Sequence, residues 1–328
     1  MKSLITLTGL SLLVVLVATV GCKKDDDFAP FDYSDFYRMK NLDVDVVPQN
    51  RMVQVLFQVT DYFHKGVTTL KQEDFIVTEN GGKLDSEADL RVGRGSIPYE
   101  LKTILLLDIS RSIEGFVPQI KDAAKAMVDK KLPDQQIAIY TFDAQTVKLQ
   151  GFTEDKQALI AAINSIPESG LFNSTNLYGA IIEMAGLWDD SFDIDEIVDG
   201  SLIVFTDGRH NASQTVTLQH VKNALGSRRV YIAALASPDL DEPSLKLLAN
   251  DKDRYFRADD VAGLEKMFLD IQTEIQTRAN SIYFLYYQSP ISDPTPFNNE
   301  LKIEIRDNIN PANDGRLITI FNSAGFGG

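Results

Sequence analysis

Thr103-Ile104-Leu105-Leu106-Leu107-Asp108-Ile109-Ser110-Arg111-Ser112 is the stretch on which the fold turns. From Thr103 to Leu107 the chain is uncharged and almost wholly aliphatic, the composition of a strand buried on both faces of a parallel sheet. It ends in an acid followed by two hydroxyls. In open α/β sheets ligands bind beyond the carboxyl ends of the strands, so the loop from Asp108 to Ser112 lies where a site belongs. An isolated Asp-x-Ser-x-Ser is also what a helix N-cap selects, so its surroundings must decide.

Downstream, helices and strands alternate. Val117, Ile120, Ala123, Ala124, Met127 and Val128 recur at helical spacing, and Ile137 to Phe142 is the next strand. Helices are predicted over Ala158–Ile166, Leu177–Trp188 and Val216–Leu225, and strands over Leu202–Phe205 and Val230–Leu235. Val261, Leu264, Met267, Phe268, Ile271 and Ile275 mark a long amphipathic final helix. This alternation over residues 101–279 predicts an α/β fold, doubly wound on a mostly parallel sheet. The flanks read differently. In 41–100, Val53, Val55, Phe57 and Val59 alternate with polar residues, and Phe75 to Glu79 runs into the turn Asn80-Gly81-Gly82. In 280–328, strands are predicted at Ile282–Tyr287, Leu301–Ile305 and Leu317–Phe321. Each flank is too small for an independent sheet domain. The two are therefore expected to pair into one β-sandwich with the α/β domain inserted; two separate small β units are the alternative.

Composition removes several classes of function. Of 328 residues, 32 are Lys or Arg and 47 are Asp or Glu, a net charge of −15 that argues against nucleic acid as a partner. A single cysteine, Cys22, excludes an internal disulfide, a thiolate zinc site or an iron–sulfur cluster within one chain. Its setting gives it another role. Lys2 precedes the apolar run Leu4 to Val20, which closes in Thr19-Val20-Gly21-Cys22. That is the layout of a secretory signal over residues 1–21, and the run is short for a membrane span. Its end resembles the lipobox of bacterial lipoproteins, with Thr19 where an aliphatic residue is usual. The resemblance implies that Cys22 is acylated and becomes the mature N-terminus, residues 22–40 forming a tether. Lys23-Lys24-Asp25-Asp26-Asp27 serves as a solvated spacer, and it also resembles the surface-export signal of Bacteroidetes-type lipoproteins. The expected location is the outer membrane, facing the cell exterior, with membrane contact through the lipid anchor only.

Three segments together carry a second resemblance. Leu105 to Ser112 is similar to the opening strand of von Willebrand factor A domains, whose metal-ion-dependent adhesion site begins with Asp-x-Ser-x-Ser. Asn173-Ser174-Thr175-Asn176-Leu177 resembles the loop that supplies a threonine ligand. Ile203-Val204-Phe205-Thr206-Asp207-Gly208 resembles the strand that ends in the second aspartate. The likeness covers about 101–279 and implies a Rossmann-like domain with metal ligands at Asp108, Ser110, Ser112, Thr175 and Asp207. Magnesium or manganese is the implied ion, since hard cations take oxygen ligands in near-octahedral geometry. Two carboxylates and three hydroxyls leave such an ion electrophilic, so a partner's carboxylate can complete its shell. The implied function is a non-enzymatic, adhesin-like surface protein that binds a protein ligand through an Asp or Glu side chain. The alternative is a structural or assembly docking component of an envelope complex whose binding does not depend on the metal.

Other polar residues carry weaker signals. Arg111, Arg209, His210 and Asn211 are candidates for a ligand-contacting rim, a pattern that exposed loop polarity explains equally well. Asp189, Asp190, Asp193, Asp195, Glu196 and Asp199 lack the order of a calcium loop and read as a solvated acidic stretch. Trp188 reads as core or cap, Asp143 as a turn residue, and His64 and His220 as surface groups. Catalysis is not expected: no motif places a nucleophile–histidine pair, a general base or a two-metal carboxylate cluster.

Overall fold

The computed structural model describes residues 32–84, 88–94, 97–169, 171, 173–212, 215–249, 251–292 and 297–326. The segment 1–21 expected to be a signal, Cys22 and the expected tether up to residue 31 lie outside the described residues. The chain opens with β1 (Arg38–Val47), β2 (Met52–Thr60), β3 (Phe75–Glu79), β4 (Gly82–Lys83) and β5 (Arg91–Gly93). The middle then runs β6 (Tyr99–Asp108), α1 (Val117–Asp129), β7 (Gln135–Phe142), β8 (Thr146–Thr153), α2 (Lys156–Asn164) and α3 (Leu177–Ala185). It continues with β9 (Ser191–Phe192), β10 (Ile197–Thr206), α4 (Leu218–Leu225), β11 (Val230–Leu235), α5 (Glu242–Ala249), β12 (Tyr255–Ala258) and α6 (Leu264–Ala279). The chain closes with β13 (Ile282–Gln288), β14 (Asn298–Ile305) and β15 (Arg316–Asn322).

The central sheet has the order β12-β11-β10-β6-β7-β8. All its neighbours are parallel except β8 on β7 and the short β9 on β10. Successive side chains of β6 point to opposite faces, and both faces are covered. Leu105 and Leu107 pack with Ile120, Ala124, Phe268 and Ile271 of α1 and α6. Ile104 and Leu106 pack with Ile181 and Met184 of α3 and Val221 of α4. Each fully buried Leu or Ile adds about 1.5–3 kcal/mol relative to exposure, which is why an uncharged run makes the central strand. The fold is a doubly wound α/β layer with additional antiparallel sheets.

Those sheets have the orders β1-β2-β13-β5 and β15-β14-β3-β4. Strands far apart in sequence pair within them: β13 with β2, Tyr283 opposite Phe57, and β14 with β3, Ile303 opposite Val77. The inward residues of both sheets form a single core, with Val55, Phe57 and Leu285 on one side and Val77, Leu301 and Leu317 on the other.

Several elements depart from the sequence prediction. β1 begins at Arg38, inside the stretch read as tether. β8, β9, α5 and β12 were not predicted; they are short or lie at the sheet margin, and Val147 of β8 is exposed. α3 stops at Ala185, and Trp188 beyond it is buried against Gly200 of the central strand β10 instead of extending the helix. Its indole N–H donates to Asp190 Oδ1 (3.1 Å), which also accepts the Gly200 N–H (2.8 Å). A Cβ at Gly200 would stand 1.9 Å from the indole, so the fit requires glycine. The reading of Asp199 as solvated is corrected. It lies on β10, 1% exposed, where its carboxylate accepts from Arg229 (2.8 Å), Arg278 (3.0 Å) and the Tyr99 hydroxyl (2.8 Å). This cluster marks a waist between the α/β layer and the β-sandwich, since Arg278 also donates to Gln58 of β2 (3.3 Å).

Candidate metal centre

Parallel pairing of β6 and β10 sets Leu107 opposite Phe205, so both strands end together. The next residues, Asp108 and Thr206, are therefore neighbours at the carboxyl edge. The Thr206 hydroxyl donates to Asp108 Oδ2 (2.7 Å), and the Ser110 N–H donates to Asp108 Oδ1 (2.8 Å). Both oxygens of a fully buried carboxylate are thus fixed. Beyond it the backbone at Ser110 is extended and leads into a short 3-10 helix, Arg111–Phe116. That turn sets Ser110 Oγ 3.1 Å from Ser112 Oγ, and the Ser112 hydroxyl donates to Asp207 Oδ1 (2.8 Å).

Thr175 arrives from the loop before α3. Its N–H donates to Asn211 Oδ1 (2.7 Å), and the Asn211 N–H donates back to the Thr175 carbonyl (3.0 Å). The next residue, Asn176, donates its N–H to the Asp143 carbonyl (2.6 Å) and caps α3 by accepting from the Gly179 N–H (3.3 Å). With Ser110 and Ser112, Thr175 lines a solvent-open cleft of about 240 Å³. The predicted ligands Asp108, Ser110, Ser112 and Asp207 are thus linked by hydrogen bonds, and Thr175 shares the cleft with the two serines.

The electrostatics are those of an anionic site. Burial pushes the Asp108 carboxyl up to about 6 against the hydrogen bonds from Thr206 and Ser110, and Asp207 adds repulsion. Asp207 is also raised, by burial first and by Asp239 further, while the Ser112 hydroxyl opposes the shift. Two carboxylates desolvated among hydroxyls are a poor resting place for negative charge and a good one for a cation. Oxygen donors without sulfur or imidazole suit a hard divalent ion. Among the described residues no group of three or more His, Cys, Asp or Glu gathers, so any metal here is held largely by hydroxyls. The residues fit the ion the motif implies.

The proposed rim divides. Arg111 and Arg209 are exposed and line the cleft, Arg209 standing 3.9 Å from Asp239. Asn211 lines it too, while its amide oxygen holds the Thr175 backbone. His210 does not line it. Its ring stacks on Tyr178 (4.4 Å between centroids) and its Nδ1 accepts the Tyr178 N–H (3.4 Å), because it serves the first turn of α3. Sequence reasoning missed Thr206, although it stands inside the quoted Phe205-Thr206-Asp207 run. It also missed Ser237, whose hydroxyl donates to the Asp207 carbonyl, and Asp239. Their signal was position: both follow the carboxyl end of β11, on the ligand edge of the sheet.

The profile of the von Willebrand factor type A domain matches residues 104–270. Solved structures similar to this chain include proximal thread matrix protein 1 from the mussel byssus, 16% identical at a TM-score of 0.47, covering 55% of this chain and 49% of that one. This chain therefore spans about half of that protein, of which a form with a zinc-occupied MIDAS motif is also known. Others are the conserved hypothetical protein BatB from Bacteroides thetaiotaomicron (17%, 0.44, 54% and 99%) and the vWF domain of the type V pili tip protein Mfa5 from Porphyromonas gingivalis (15%, 0.46, 56% and 96%). At these identities the likeness concerns the fold. No curated protein sequence matches the chain. Domains of the matched type commonly bind a divalent metal at their adhesion site, whose opening motif Asp108, Ser110 and Ser112 resemble in sequence. With that profile spanning half of its length, on the layer whose edge holds these residues, the chain belongs to the von Willebrand factor type A domain family.

Proposed function

We propose that the protein is a non-enzymatic, surface-anchored binding protein that grips a carboxylate of a protein partner through magnesium or manganese. The ligands in this reading are Asp108, Ser110, Ser112, Thr175 and Asp207. The observation that carries it is the state of Asp108: a fully buried carboxylate, both oxygens fixed, beneath hydroxyls that open to solvent. When bound, a divalent ion supplies a Lewis-acidic position that an incoming carboxylate oxygen can occupy. The chain's own residues prepare that position. Thr206 and the Ser110 N–H hold Asp108 in one rotamer, Ser112 orients Asp207, and Asn211 fixes the backbone of Thr175. Arg111 and Arg209 present positive charge at the rim of an otherwise acidic chain, which favours an acidic side chain as the visitor.

The reading includes acylation at Cys22 and display from the outer membrane toward the exterior, supported by the lipobox-like sequence. Among the described residues no helix is long and apolar enough to cross a membrane. The test is isothermal titration of magnesium and manganese into the full chain and into Asp108→Ala, paired with capture of surface partners with and without chelator. Metal binding lost in the variant, and partner capture lost under chelator, are expected. A wild-type chain that binds neither ion overturns the reading, and capture that survives chelation supports metal-independent docking instead.

A further inference from the structure

At the start of the described residues, four aromatic rings gather away from any core. Tyr33 stacks on Tyr62 with 3.9 Å between ring centroids, Phe36 meets Tyr62 edge-on at 5.1 Å, and Phe63 does the same at 5.1 Å. Phe63 is 57% exposed and Tyr62 36% exposed. Their loop cannot turn inward. Asp61 Oδ1 accepts the N–H groups of Phe63 (2.8 Å) and Lys65 (2.9 Å), the Asp61 N–H donates to the Lys65 carbonyl, and Thr60 bridges Gly66. Gly66 in turn sits so close to α6 that a Cβ there would lie 2.5 Å from the Thr277 carbonyl oxygen. A rigid tip therefore holds two rings in water, at a standing cost in hydration, with Lys40 and Lys65 on the cleft beside it, whose lining also includes Asp251, Asp253, Glu274 and Asp314.

The occupant follows from where the chain leads. Tyr33 is eleven residues beyond Cys22, a reach of at most about 40 Å fully extended. A short link to an anchored end keeps the patch at high effective concentration against the bilayer, so even a weak contact is populated. Aromatic rings with polar tips favour the membrane–water interface, and the two lysines, Lys40 and Lys65, can meet anionic headgroups there. Resting on the acylation of Cys22 proposed above, we infer that the Tyr33, Phe36, Tyr62 and Phe63 face docks on the interfacial zone of the bilayer that holds the anchor. The membrane contact is then twofold, lipid and ring. The metal cleft stays clear of it: β6 runs from the waist at Tyr99 to Asp108, ten residues or about 30 Å.

The test uses the full acylated chain in vesicles of phosphatidylethanolamine and phosphatidylglycerol. Acylation occupies Cys22, so Lys65→Cys supplies one thiol for an environment-sensitive fluorophore. Blue-shifted emission, quenched by brominated acyl chains, is expected. The same label at Lys148→Cys, exposed on β8, is expected to stay aqueous, and Tyr62→Ser with Phe63→Ser is expected to abolish the shift at position 65. An aqueous spectrum at 65 overturns the inference. So does a blue shift without quenching, which means that a second copy of the chain covers the face. Mass spectrometry of the N-terminal peptide separates the two premises. An unmodified Cys22 brings down anchor and docking together, whereas acylated Cys22 with an aqueous label brings down docking alone.

Discussion

Replacing Asp199 by asparagine tests whether the waist is held by charge. The carboxylate is 1% exposed, and its partners come from three places: Arg229 ahead of β11, Arg278 at the end of α6 and Tyr99 at the start of β6. Burial alone would raise its pKa; the guanidiniums of Arg278 and Arg229 reverse that and bring it to about 2 from an ordinary 3.8. The same pairing raises Arg229 against its own burial. A fall from 3.8 to about 2 is worth about 2 kcal/mol of folding stability. Because the folded value is the lower one, this contribution is complete above the unfolded value near 3.8 and drains as the pH falls toward about 2.

Asp199→Asn keeps the shape and leaves two guanidiniums facing a neutral amide. Removing one partner of a buried ion pair costs about 3–5 kcal/mol. Urea unfolding followed by circular dichroism, at neutral pH and then in steps down to pH 2, measures both effects. The variant is expected to be less stable by that amount at neutral pH, with the gap closing by about 2 kcal/mol by pH 2. Other carboxylates titrate in both proteins, so the difference between them isolates this one. A gap below about 1 kcal/mol at neutral pH, the size of an exposed pair, would refute the reasoning. So would a larger gap that does not change with pH.

Two further substitutions probe the edges of the α/β layer. Gly200→Ala drives a methyl into the Trp188 indole, which is held by its bond to Asp190, and is expected to cost about 3 kcal/mol or more in thermal or urea unfolding; a neutral result would mean that the indole moves freely. Thr206→Val removes the hydroxyl that donates to Asp108 and is expected to weaken magnesium affinity by about 10-fold or more, measured by titration calorimetry, with the fold retained in far-ultraviolet circular dichroism.

The layers of this protein were legible because their signals are local. Thr103 to Leu107 and Leu202 to Phe205 are uncharged runs that only a doubly covered strand uses, and the final helix shows its face in Leu264, Phe268, Ile271 and Ile275. The site was legible for a different reason. Asp108, Ser110, Ser112 and Asp207 stand at or just after two strand ends, where short polar residues interrupt an apolar pattern, and Thr175 stands just before α3. What escaped was whatever depends on a partner distant in sequence. Asp199 belongs to a run of acids, and its neighbours Arg229 and Arg278 stand 30 and 79 residues away. Nothing near it distinguishes a buried carboxylate from a solvated one. His210 misled in the opposite sense. It follows the motif aspartate closely, yet Tyr178 of α3 claims its ring.

The two central strands carry the whole arrangement, and their register explains why both ends hold. β6 begins with Tyr99 and ends with Asp108; β10 has Asp199 near its start and Thr206 at its end. Toward the cleft, Ile104 to Leu107 and Leu202 to Phe205 make an apolar stretch with Leu107 opposite Phe205, while Glu100, Lys102, Thr103, Gly200 and Ser201 lie nearer the waist, where Leu101 stands opposite Asp199. A slip of one residue would turn every side chain to the wrong helix layer. It would also break the Tyr99–Asp199 bond at the waist and the Thr206–Asp108 bond at the cleft together. An apolar stretch makes the pairing strong without saying where it should sit, since one leucine resembles the next. The buried polar pair at each end supplies that information, because an unpartnered carboxylate in either place costs more than the aliphatic contacts could recover. The carboxylate beneath the candidate cleft is therefore part of what aligns the sheet that displays it.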